Sequence, residues 1–135
     1  MPARSLKPEL LERVVLLNDV PVRTTGEFVL YWAHHALRVD DNPALDAAAS
    51  IALQLDLPLL VYQGLGGRHR YNADRHHRFI LESARDFSDQ LAASGQHLLF
   101  HLPKEPAQPG PLAEVAKLES QHALELPQVE SHRQR

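Results

Sequence analysis

Apolar positions in this chain fall into short uninterrupted runs separated by stretches of helical periodicity. Glu27–Ala33 (EFVLYWA), Pro58–Tyr62 (PLLVY) and Leu98–Leu102 (LLFHL) are dense in branched and aromatic residues. Unbroken apolar runs of that length mark strands buried on both faces. Two helical stretches lie between them. Asn42-Pro43 is a helix start, a cap followed by a proline in the first turn. The segment that follows, to about Leu55, is apolar nearly all round (Leu45, Ala48, Ala49, Ile51, Ala52, Leu55). Such a helix must be covered on more than one side. In Asp74–Ala93, Ile80, Ala84, Phe87 and Leu91 form one stripe at i, i+4, i+7 and i+11, and Gly95 marks the end of the helix. Leu10, Val14 and Leu17 predict a short amphipathic helix over Pro8–Leu17, and Pro111–Leu118 predicts one more.

Buried strands joined by helices of crossover length imply a parallel sheet with right-handed connections. The expected fold class is therefore α/β: a partial Rossmann-like, doubly wound parallel sheet of about three strands with spatial order 3-2-1. Flanking helices and an irregular C-terminal tail complete it. After Leu118 the pattern fails, with only Ala123, Leu124, Leu126 and Val129 scattered among polar residues. The sheet is expected to have one open edge, as if the chain were cut short, and an open edge invites pairing with a second copy. The expected division is residues 1–25 as helix and lead-in, 26–118 as the α/β domain and 119–135 as an irregular or disordered tail.

Composition narrows the class. A length of 135 residues suits one domain. The net charge of -3 argues against a wholly basic nucleic-acid-coating protein, though not against a local basic patch. Cysteine is absent, which excludes a disulfide framework, a thiolate metal site and a cysteine nucleophile. No apolar run approaches the roughly 20 residues that span a bilayer, so a cytoplasmic protein without a membrane partner is expected.

In open α/β sheets ligands bind outside the carboxyl ends of the strands. Three segments converge there: 34–42, 63–74 and 103–110. Gly64–Arg78 holds Arg68, Arg70, Arg75 and Arg78 with three histidines against a single aspartate. It runs into a helix N-terminus, where free N–H groups and the dipole favour anions. It is either a site for a phosphate, carboxylate or acidic cofactor, or a solvated loop. Its glycines form neither a dinucleotide fingerprint nor a Walker A loop. Trp32, at a strand end, could stack on a planar ring or serve the core. Asp40-Asp41 suit capping better than acid–base work. His34-His35 and His76-His77 lack metal-ligand spacing, and no nucleophile motif occurs. No catalytic or metal-ligating residue is assigned.

Gly26–Leu45 (GEFVLYWAHHALRVDDNPAL) resembles the opening of the photolyase/cryptochrome family, in which a first strand runs into an L-R-x-x-D-N-x-A-L motif. Leu37-Arg38, Asp41-Asn42 and Ala44-Leu45 match it position by position. The lead-in Val14–Trp32 and the stretch NADRHHRFILESARDFSDQLAASG are similar to class II cyclobutane-pyrimidine-dimer (deoxyribodipyrimidine) photolyases, and the likeness covers roughly Arg13–Leu102. The resemblance implies the light-harvesting antenna domain of a light-driven DNA-repair lyase, carrying a deazaflavin, folate or flavin chromophore. It further implies that FAD, the contact with damaged DNA and the tryptophan electron chain belong to a helical domain outside this chain, whose single tryptophan is Trp32. Repair by this chain alone is not expected. Trp32, Arg38, Arg68 and Arg70 are the candidate chromophore or anion contacts, and Asp41 and Asn42 the motif residues that join loop to helix. The competing expectation is a free-standing nucleotide- or anion-binding regulatory module that dimerises through its open edge.

Overall fold

The computed structural model describes residues 6–21, 25–65 and 73–102. Its elements run α1 (Pro8–Leu11), β1 (Val29–Trp32), α2 (Pro43–Leu55), β2 (Leu59–Gly64), α3 (Asp74–Ala93) and β3 (Leu98–His101). The three strands form one parallel sheet in the order β1-β2-β3. This is the expected α/β architecture and strand order. The predicted helix at Pro111–Leu118, the tail and the loop at Pro103–Gly110 lie outside the described residues.

Register and side-chain alternation explain where the core sits. Tyr31 pairs with Val61, and Val61 with Leu98, so these three point to one face. There they meet Leu45 and Ala48 of α2 and Phe87 and Leu91 of α3. Both helices cover the same face because two right-handed crossovers stepping in one direction must place them there. Leu30 and Tyr62, one residue out of phase, point to the opposite face and are buried as well. Burial on both faces is what made the runs continuous rather than alternating.

The second cover predicted for α2 is the N-terminal segment. Leu6 packs with Ala47, Ile51 and Ala52, and Leu10 and Val14 flank that cluster. Leu53, not among the apolar positions that define the buried helix, is 83% exposed. The helix predicted over Pro8–Leu17 stops at Leu11 and continues as turns, with Arg13 and Val14 donating N–H bonds to Leu10 and Leu11. Only Leu10 and Val14 find a core, while Leu17 is 59% exposed. Two adjacent β-branched valines add a further cost to helix propagation, so one short stripe without burial does not hold.

The helix ends follow their local chemistry. Asn42 Oδ1 accepts the N–H of Leu45 at 3.1 Å, and Pro43 supplies a first position that needs no donor. At the far end of α3, Gly95 takes φ +77° while Gln96 N–H donates to Leu91 O and Gly95 N–H to Ala92 O. That pair of bonds is a Schellman closure, and glycine carries its left-handed residue without strain. Gly64 closes β2 for a different reason: a Cβ there would lie 2.9 Å from the hydroxyl of buried Tyr62.

Candidate functional site

The end of β1, the loop that follows it and the start of α2 enclose a cleft of about 240 Å³. Trp32 forms one wall, His34, His35, Ala36 and Arg38 of the following turn another, and Pro43, Ala44 and Ala47 the helical side. The outer wall is Leu10, Arg13 and Val14 from the N-terminal segment, held there because Leu10 and Val14 pack beside α2. Among the described residues the lining carries Arg13, Arg38, His34 and His35 and no carboxylate. The surroundings are mostly apolar with a cationic rim, which suits a flat ring bearing a negative group.

Asn42 builds the loop. It is fully buried, and its Nδ2 donates to Ala36 O at 3.0 Å, Arg38 O at 2.9 Å and the Tyr31 hydroxyl at 3.3 Å. One side chain thus ties the turn, strand β1 and the cap of α2 together. Asp41 takes φ +50°, a left-handed conformation that aspartate tolerates better than most residues. The loop is also pinned from the other helix, where Gln90 Oε1 accepts the N–H of Val39 at 3.0 Å.

The structure divides the sequence candidates. Trp32 lines the cleft, half-buried, with the His34 ring 3.9 Å from its own ring and tilted by 56°. Arg38 also lines it, but its guanidinium is engaged: Nε and Nη2 donate to Asp41 O at 3.1 and 2.9 Å, and Nε also reaches Asp40 O. Its charge faces the Asp41 carboxylate at 3.8 Å. Asp41 points to solvent, and Asn42 is a scaffold. Arg68 and Arg70 lie outside the described residues. Arg75, Arg78 and His76 are exposed on α3 away from the cleft, where Arg78 pairs with Glu82 at 3.6 Å.

Arg13 is the residue that sequence reasoning missed. It stands sixteen positions before β1 and outside every motif, so only packing of the N-terminal segment against α2 brings it to the cleft. Among the described residues no group of three or more His, Asp or Glu is placed to hold a metal ion. No helix among them is long and apolar enough to cross a membrane.

Tyr31 reports on this site through its ionisation. Burial pushes its phenol above the ordinary value of 10.0, and the hydrogen bond from Asn42 opposes that only in part. The unfolded chain therefore loses this proton first, so the stability that Tyr31 contributes is fully present below pH 10 and is lost as the pH rises from there through the folded value. Tyr62, also raised by burial, adds to the same loss. Replacing Tyr31 with Phe leaves Asn42 two carbonyl acceptors and costs about 1 kcal/mol or less at pH 7. The variant is expected to unfold at higher pH than the parent in an alkaline titration followed by circular dichroism. An unchanged midpoint would show that Tyr31 ionises freely in the folded state.

A three-stranded parallel α/β sheet with a cleft at its carboxyl edge belongs to the broad class of Rossmann-like α/β domains. Comparison makes this specific. Residues 29–124 match the model of the DNA photolyase family, and the chain belongs to that family. It is 32% identical over 96 residues to the deoxyribodipyrimidine photo-lyase of Methanothermobacter thermautotrophicus, covering 71% of this chain and 22% of that protein. It is 36% identical over 91 residues to Cryptochrome-1 of Drosophila melanogaster, covering 62% of this chain and 16% of that protein. The chain thus spans about a fifth of the length of these curated relatives. No solved structure matches it.

Proposed function

We propose that this chain is the light-harvesting domain of a photolyase-type protein and that the β1 cleft holds its antenna chromophore. The observation that supports this reading is the composition of the cleft, in which an indole and two rim arginines, Arg13 and Arg38, meet at the carboxyl end of the first strand. Its volume of about 240 Å³ is below the roughly 300–1,000 Å³ of sites for drug-sized ligands. It fits one fused ring system, not a dinucleotide. Trp32 would lie against the ring, the apolar side chains of Val14, Pro43 and Ala44 would exclude water, and the loop fixed by Asn42 would set the width. When bound, a deazaflavin, folate or flavin supplies absorption of near-ultraviolet and blue light. The chemistry of repair on pyrimidine dimers in DNA, with FAD, is assigned in this reading to the remainder of a photolyase-length protein.

The test is an absorption spectrum from about 300 to 550 nm of the purified chain, recorded after incubation with each chromophore class and removal of free ligand. The expected result is a retained, shifted band at one equivalent of ring, lost in Trp32→Ala while the melt of the protein stays cooperative. A spectrum that stays clear above the protein band with all three classes, from a chain that still melts cooperatively, overturns the reading.

A further inference from the structure

The cleft has two arginines on its rim, and they are not equivalent. Arg38 spends its guanidinium on the carbonyls of Asp40 and Asp41 and stands beside the Asp41 carboxylate. Drawing it toward a ligand would break bonds that close the loop. Arg13 belongs to neither of the ion pairs found among the described residues, Arg38–Asp41 and Arg78–Glu82. Glu9 and Glu12 precede it in sequence, but neither lines the cleft nor lies within ion-pair distance of it. Its backbone is set by the turn that follows α1, where its N–H donates to Leu10 O, and the side chains on either side, Leu10 and Val14, anchor that turn beside α2. Among the described residues the guanidinium thus has no carboxylate partner, and its backbone is placed.

We propose that Arg13 pairs with the anionic substituent of the ring held in this cleft, so that the N-terminal segment selects phosphate- or carboxylate-bearing ring ligands over neutral ones. The proposal rests on the ring-binding reading above and names the residue that sets its charge preference. A guanidinium matches two oxygens of a phosphate or carboxylate at once, which gives direction as well as attraction. Arg38 has a different part: it positions the loop.

Riboflavin and flavin mononucleotide test this, because they share one ring and differ by a phosphate. Binding to the full chain is followed by quenching of Trp32, its single tryptophan. The mononucleotide is expected to bind about five- to tenfold tighter than riboflavin at low salt, with the preference shrinking as salt is added. In Arg13→Gln the two ligands should bind alike, at the affinity the parent has for riboflavin, with the melting temperature unchanged. In Arg38→Gln the preference should persist even though the melt falls. If the parent binds both flavins equally, or Arg13→Gln keeps the preference, the pairing is wrong while ring binding stands. If neither flavin quenches, the proposal falls. The ring-binding reading falls with it only if folate and deazaflavin also leave the spectrum clear.

Discussion

Asn42→Ala is expected to lower stability by about 2–4 kcal/mol, because one buried side chain serves two purposes there. Loss of the cap on Leu45 N–H accounts for roughly 1 kcal/mol. The remainder comes from Ala36 O and Arg38 O, two carbonyls that lose their donor in a part-buried turn. For a domain of this size the melting temperature should drop by about 10 °C, read from thermal unfolding by circular dichroism. Asn42→Asp separates the two contributions. It keeps the capping oxygen but turns a buried carboxylate toward the same carbonyls, which holds its proton more tightly in the folded state than in the unfolded one. Its stability deficit should therefore be larger at pH 7 than at pH 4. A melt of Asn42→Ala within 3 °C of the parent would show that the loop is held by something other than this residue.

The same residue shows how far the sequence can be read. Asn42-Pro43 announces a helix start in any context, and the cap is where that signal puts it. Strand identity, strand order and the full extent of α3 were legible for a similar reason. Each rests on an apolar pattern that repeats over several positions and is enforced by burial at Val61, Phe87 and Leu91. The helix predicted over Pro8–Leu17 fails because its stripe is only three residues long and Leu17 has no core to meet. The site was legible only in its frame. Trp32 and Arg38 could be placed at the carboxyl edge because they follow β1 directly. That Arg38 is consumed by its own loop depends on the left-handed turn at Asp41, and that Arg13 stands opposite depends on a packing contact between distant segments. Periodicity encodes neither.

Phe87→Ala carries the largest expected effect, a loss of about 3–5 kcal/mol, because the ring is completely buried and the space it leaves cannot be filled. It touches the cluster of Tyr31, Val61 and Leu91, so it is the side chain that fastens α3 to the sheet. The consequence should reach the cleft. Gln90, on the next turn of α3, accepts the N–H of Val39 and so braces the loop from outside. If Phe87→Ala lets α3 shift, that bond is lost, and ring retention should weaken even at temperatures where the variant is still folded. Gln90→Ala isolates this second effect: it removes the brace alone, costs about 1 kcal/mol or less, and should still weaken retention of the ring. Thermal melts and retained absorbance on the three proteins, parent included, decide the matter. Full retention in Gln90→Ala would mean that Asn42 fixes the loop without help from α3. A melt of Phe87→Ala close to that of the parent would mean that α3 is fastened by Leu91 and Ala84 instead.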